Sequence, residues 1–377
     1  MISILTFFII YFTFLFFFVN LVYIRSSIYY KPYIYTNEKT GEKIDLHKKY
    51  EPFQSKDKLP YFKLLIGGMT FFPFKIVGCM SCVFFLVVHL RIVTTLFYKK
   101  YDTDPEERKK IYKIIHFWSY YAFKIANIKI NEIKVNNYEN IYKKYLGEDY
   151  DFSDQKYSII TSNHLGLFDV VLHVYLHGPG FIAKKEVGNF PFFGSVARCL
   201  NCILVERGSE KARKETLELI YNRQKNFMEG KTLAPLVVFP EGTTTCNRNI
   251  LKFKKGAFWH LMPIKPQIIK IDQNSDVHIA IGTQNIFFHT CKLLCFWRHN
   301  IYYMDLPVIR PTDFMFEKYK NLGKEKWEIY AEVARKIYCE IGGFKESDYG
   351  YRDSHYYHLC LLGEKKYDPD FDKKKNN

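Results

Sequence analysis

Residues 1–24 carry no charged side chain and are built almost wholly of Phe, Ile, Leu, Val and Tyr. In a hydrocarbon phase such a run can satisfy its backbone polar groups only as a helix, and about 20 residues cross a core about 30 Å thick. We read residues 1–24 as a transmembrane anchor. A cleaved signal sequence would carry a basic leading region, a shorter apolar stretch and a small-residue cleavage site, and the run has none of these. Arg25, Lys31 and further lysines follow, so the positive-inside bias places the next segment, a linker over residues 25–60, in the cytosol.

A second apolar stretch, residues 61–97, is interrupted by Pro73 and Lys75, which leaves residues 76–90 too short to span comfortably. The expectation is a membrane-embedded re-entrant hairpin or helix pair, with a buried core helix of the soluble domain as the rival. Lys75 must then reach the interface or face protein. Residues 98–150 read as a helical lead-in.

The chain holds 55 basic against 39 acidic residues, a net charge of +16, which suits any polyanion. No zinc-finger spacing, recognition helix or aromatic RNA-binding strand accompanies it, so nucleic acid is not an expected partner. Aromatic residues make up 18% of the sequence, which suits contact with acyl and headgroup layers. Nine cysteines form no disulfide framework, and of the pairs Cys79/Cys82 and Cys199/Cys202 the first lies in an apolar stretch, so no metal is expected. His173 and His177 stand four apart on a probable helix, but no third ligand is suggested, and a structural pair is the reading.

From about residue 157 the texture changes to short β-branched runs at 157–161, 202–205, 236–239, 267–271, 277–281 and 301–306. Helical patterns at 210–228 and 324–341 alternate with them. The expected class is α/β, a mostly parallel sheet flanked by helices, with N-terminal membrane-embedded helices. No linker divides residues 151–363, and residues 364–377 read as a disordered basic tail.

Ser162-Asn163-His164-Leu165-Gly166-Leu167-Phe168-Asp169 follows the first of these runs, at the strand end where open α/β sheets place their sites. On a continuous helix His164 and Asp169 would point about 140° apart, so they meet only if the chain turns, which Gly166 permits. Asp169 could then fix one imidazole tautomer while the other nitrogen takes a proton. About seventy residues on, Val237-Val238-Phe239-Pro240-Glu241-Gly242-Thr243 again runs a strand into a turn. Lys252, Lys254 and Lys255 lie close in sequence, where a phosphate could be held.

Together these segments resemble the glycerol-phosphate and lysophospholipid acyltransferase superfamily. The first block corresponds to residues 163–169, the second to Cys202-Ile203-Leu204-Val205-Glu206-Arg207, the third to residues 239–243 and the fourth to Pro263-Ile264-Lys265-Pro266, so that the likeness covers about 156–363. Thr244 and Thr245 stand where phosphatidic-acid-forming enzymes have Arg. That detail leans toward the lysophosphatidylcholine/lysophosphatidylethanolamine branch. Phe181-Ile182-Ala183-Lys184-Lys185-Glu186-Val187 and Ser354-His355-Tyr356-Tyr357-His358 are similar to the plant-type lysophosphatidylethanolamine enzymes.

The resemblance implies that His164, oriented by Asp169, activates a lysophospholipid hydroxyl, the free and expectedly sn-2 one, against the thioester of acyl-CoA. Acyl-CoA is then a co-substrate and no cofactor is needed. It implies that Arg207 binds the acceptor phosphate, and that Asn163, Glu241, Gly242, Thr243, Lys254 and Lys255 contribute to substrate binding. A phosphatidic-acid-forming enzyme and a CoA-independent transacylase or hydrolase are the alternatives. Lys374-Lys375-Asn376-Asn377 looks like a dilysine retrieval signal, which fits an endoplasmic reticulum membrane protein with a cytosolic catalytic domain. Nothing in the sequence fixes an oligomeric state.

Overall fold

In the computed structural model, which describes residues 4–371 apart from 38–39, 56, 102, 190–192, 207–208 and 273, the uncharged N-terminal run is a single helix, α1 (Ile4–Ser27). A hairpin of β1 (Ile34–Thr36) and β2 (Lys43–Asp45) leads into the short α2 (Leu46–Lys49). The second apolar stretch forms a helix pair, α3 (Tyr61–Thr70) and α4 (Phe72–Leu96), broken where Pro73 begins the next helix. Lys75 faces protein: its Nζ donates to the carbonyls of Ala126, Phe296 and Trp297 at 2.9, 2.6 and 2.9 Å. Those carbonyls end two helices, so the ammonium sits where helix dipoles favour a cation.

The sheet-bearing region begins with α5 (Pro105–Ala126), started by Asp104, whose side chain accepts from the amides of Glu106 and Glu107, and ended by Asn127 in a left-handed conformation. Then come β3 (Ile128–Glu132), α6 (Tyr138–Leu146), β4 (Ile159–Ser162), α7 (Leu167–His177), β5 (Gly180–Lys184), α8 (Phe193–Cys199), β6 (Ile203–Val205) and α9 (Glu210–Met228). The rest comprises β7 (Leu236–Val238), β8 (Asn249–Leu251), β9 (Ile264–Ile271), α10 (Ile286–Leu294), β10 (His299–Asp305), α11 (Asp313–Lys318), α12 (Lys326–Gly342), β11 (Lys345–Ser347) and α13 (Tyr351–Leu361).

Seven strands form the main sheet in the order β3-β10-β9-β4-β7-β5-β6, with β10 and β9 the antiparallel pair and the other pairings parallel. The expected mostly parallel α/β class is therefore what the chain adopts. Consecutive residues of β9 point to opposite faces. Ile268 packs with Ile329, Val333 and Ile337 of α12, and Ile269 with Leu172 of α7, Phe123 of α5 and Val19 of α1. Both faces of the sheet are thus covered, and α1 belongs to one cover.

Four expectations need correction. Residues 25–60 are not a linker: Leu46, Tyr50 and Phe53 are buried against Tyr356 and Tyr357 of α13. Single apolar residues between charges hide this packing from any periodicity argument. The tail expected to be disordered from 364 is packed as far as Phe371, whose ring stacks on Tyr356 with centroids 3.7 Å apart, while Tyr367 is also buried. The basic residues 372–377 lie outside the described residues. Finally, the 98–150 lead-in supplies an edge strand, β3, and residues 277–281 form no strand, because both edges of the preceding β9 are already taken by β4 and β10.

Candidate active site

Strands β4, β7, β5 and β6 run parallel, so the residues that follow them share one edge of the sheet. His164 follows β4. Asp169 sits in the first turn of α7, and Gly166 between them turns the chain at φ 152. That angle lies where L side chains are strained, and a Cβ on Gly166 would stand 3.1 Å from Cγ2 of Ile281. The turn closes the ring that a continuous helix could not: His164 Nδ1 and Asp169 Oδ2 are 2.9 Å apart.

Asp169 is buried, and its Oδ2 also accepts from the amides of Leu165 and Gly166. A carboxylate so held accepts a hydrogen bond from Nδ1–H, which leaves Nε2 of His164 as the free acceptor. The imidazole is partly open, with 23% of its side chain accessible, and its face stacks on Phe239 at a centroid distance of 4.1 Å. Burial alone would lower its pKa, but the charge and hydrogen bond of Asp169, with Glu241 behind, outweigh burial and raise it above the ordinary 6.5.

The Pro-Glu-Gly-Thr turn lies beside this ring, as the sequence reading requires, but Glu241 does not face a substrate. It is fully buried, with Oε1 accepting from the amide of His164 at 3.1 Å and Oε2 from the amide of Leu251 at 3.0 Å. On the other side the amide of Thr245 donates to the carbonyl of His164 at 3.0 Å. Hence this turn grips the backbone of the base from both directions. Burial pushes the Glu241 carboxyl up to about 7, against the two amide donors. Since only the ionised form lets both oxygens accept, both ties hold best as pH rises through that value.

Asn163 also departs from its expected role. Its side-chain amide donates to the carbonyl of Ile269 at 2.9 Å and accepts from the same residue's amide at 2.8 Å, so it extends β4 against β9, and it is fully buried there. Asn247 bonds to β9 in a similar way, to Ile269 and Ile271. Gly242, at φ 68, is overlain by Lys254, whose Nζ would lie 2.4 Å from a Cβ there, so a side chain at 242 would displace the lysine from the turn. Lys254 is exposed over that turn, whereas Lys255 lies over the ring of Trp259 at 4.4 Å, directed at an aromatic face. Thr243 is half-buried beside them. Arg207 lies outside the described residues; Glu206, just before it, follows β6 and pairs with Lys185 after β5 at 2.5 Å.

Sequence reasoning missed Phe239 as the platform for the imidazole and the brace made by residues 277–284. There the amide of Ile281 donates to the carbonyl of Leu165 at 2.8 Å, and Thr244 Oγ1 to the carbonyl of Gly282 at 2.7 Å. Among the described residues no group of three or more His, Cys, Asp or Glu could hold a metal ion. His173 is buried, and burial, with His177 beside it, holds its pKa down at about 3.

We expect Glu241→Gln to lower kcat by about a hundredfold with little change in KM, since an amide turned toward a backbone N–H loosens the loop that aims His164. Steady-state kinetics on a variant with unchanged circular dichroism checks this, and a wild-type kcat would return Glu241 to a passive role.

An imidazole held by a buried carboxylate at the carboxyl edge of an α/β sheet is the arrangement of a general-base enzyme. Over residues 132–271 the chain matches the family described as Acyltransferase. Lysophospholipid acyltransferase LPEAT1 of Arabidopsis thaliana is 30% identical over 216 residues, 57% of this chain and 52% of that protein. Lysophosphatidylcholine acyltransferase 2 of Homo sapiens is 25% identical over 197 residues, 52% of this chain and 34% of that protein. The crystal structure of the 1-acyl-sn-glycerophosphate acyltransferase PlsC from Thermotoga maritima matches with a TM-score of 0.39 and 20% identity, covering 71% of this chain and 96% of that one. The chain spans about half the length of the first relative and about a third of the second.

Proposed function

We propose that this protein is an acyl-CoA-dependent lysophospholipid O-acyltransferase bound to a membrane. The observation that carries the reading is the His164–Asp169 pair, 2.9 Å apart and clamped by the Pro-Glu-Gly-Thr turn. The names of the relatives supply the acceptor class. In the reaction the acceptor hydroxyl, expectedly at sn-2, gives its proton to Nε2 of His164 as its oxygen attacks the thioester carbonyl. The C–S bond breaks, and the coenzyme A thiolate takes the proton back. A thiolate leaves readily without a strong acid, so no acyl-enzyme is needed.

Membrane attachment rests on two helices long and apolar enough to cross a bilayer, Ile4–Ser27 and Phe72–Leu96. The second lies lengthwise against α5, Gly78 facing Ile125 and Lys75 bonding to Ala126, while Phe74, Val77 and Leu96 stay exposed. A helix fixed in this way to a water-facing domain suits shallow embedding better than a span. A site toward the cytosol is supported by the positive-inside bias of the lysines after α1, and it belongs to the same proposal together with residence in the endoplasmic reticulum.

A competition assay offering several lysophospholipids and one labelled acyl-CoA to the purified enzyme tests the reading. One or more labelled diacyl phospholipids are the expected products; free fatty acid alone would point to a hydrolase. Arg207→Ala is expected to raise the acceptor KM about ten- to a hundredfold at nearly constant kcat, because a phosphate contact is made in ground and transition states alike. An unchanged KM would leave Arg207 without a binding role.

A further inference from the structure

A cavity of about 370 Å³ opens between the end of α5, the edge strand β3 and Tyr175 of α7, outside the site described above. Three cations line it, Lys124, Lys129 and Arg298, all exposed, and no carboxylate is among its lining residues. Among the described residues no ion pair engages any of the three; Lys124 lies over the ring of Tyr120 at 5.3 Å. Three like charges gathered without a counter-ion repel one another, and an anion relieves that repulsion. The guanidinium of Arg298 offers the planar, paired donors that suit phosphate.

The rim points to the kind of anion. Trp297, next to Arg298, is 63% exposed and packs on Phe71 at the α3/α4 break, with Phe74 at 79% exposure just beyond. Tyr120 and Tyr121 are exposed on the α5 side. Amphipathic rings between a basic hollow and an apolar helix face match a molecule with an anionic head and apolar tails. The register puts Ile128, His299 and the end of β9 at one level, so the cavity opens on the same sheet edge as His164. Three strand spacings separate β3 from β4, or about 14 Å, too far for one ligand headgroup to occupy both.

We infer that this cavity is a non-catalytic binding site for the headgroup of an anionic phospholipid, which seats the catalytic edge against the bilayer. The inference rests on the membrane reading given above. The alternative source of phosphate is coenzyme A itself, and the test separates the two.

The full chain in detergent micelles is titrated with phosphatidylserine or phosphatidylcholine, and bound lipid is read by native mass spectrometry. The wild type is expected to prefer phosphatidylserine. The combined variant Lys124→Gln/Lys129→Gln/Arg298→Gln should lose that preference roughly a hundredfold, about fivefold for each charge, with the KM for acyl-CoA unchanged. A control carrying Lys318→Gln, Lys320→Gln and Lys324→Gln, exposed lysines on the α11–α12 side, should keep it. An undiminished preference in the cavity variant overturns the assignment, and so does an equal loss in the control. Displacement of the lipid by added coenzyme A would give the cavity to the donor instead. Whether the chain needs detergent to stay monodisperse tests the membrane reading separately.

Discussion

His164→Ala is expected to cut the rate of acyl transfer by about 10³- to 10⁴-fold while the protein still folds. In the proposed mechanism the loss falls on kcat, because there the imidazole of His164 accepts a proton only as the hydroxyl attacks, while acyl-CoA and acceptor bind to other groups. Removing it leaves the fold's ties in place, since the contacts of His164 to Glu241 and Thr245 run through its backbone amide and carbonyl. Product formation from labelled acyl-CoA, measured beside thermal unfolding, checks both halves. A variant with wild-type turnover would mean that another group deprotonates the acceptor.

The second large effect belongs to Asp169→Asn, which should lower kcat by about 10³-fold or more and also move the pH profile. The amide can donate where the carboxylate only accepts, so the tautomer with the proton on Nδ1 is no longer enforced. The sign of the pH shift follows from charge. Asp169 raises the His164 pKa above 6.5, and the base works only when neutral, so the wild-type acid limb of kcat/KM lies above 6.5. Without that charge burial prevails, and the limb of the residual activity moves to lower pH. A limb that stays put, or moves up, would show that Asp169 does not govern the imidazole. Because Asp169 also accepts amides at the start of α7, the variant should unfold at a lower temperature, by about 1–2 kcal/mol of stability.

Much of this site was legible in the chain. His164 and Asp169 could be paired from spacing, the glycine between them and the strand before them, because each is a local constraint. The Glu-Gly-Thr turn was legible as a site element for the same reason, but not what its carboxylate does. Glu241 and Asn163 looked like ligand-facing polar residues on a catalytic loop; in the fold they satisfy backbone amides of Leu251 and Ile269, partners chosen by tertiary packing. The strand pattern at 277–281 was real as apolar burial, yet β9 had no edge to offer it, so the segment braces Leu165 instead. Likewise α10, which carries the buried Lys292 paired with Asp57 at 3.0 Å, joins two segments far apart in sequence. No periodicity reports such a contact. The helix pair at 61–97 was better served, because Pro73 and Lys75 mark the break by their own chemistry.

The proposed reaction is direct transfer from a thioester to a lysophospholipid hydroxyl with His164 as base. The most direct measurement follows coenzyme A thiol release and labelled diacyl product together, with and without lysophospholipid, in wild type and His164→Ala. Thiol should appear only when acceptor is present, in equal amount to the new ester, and neither should form at an appreciable rate in the variant. Product made without consumption of thioester, or undiminished by loss of the imidazole, would contradict it.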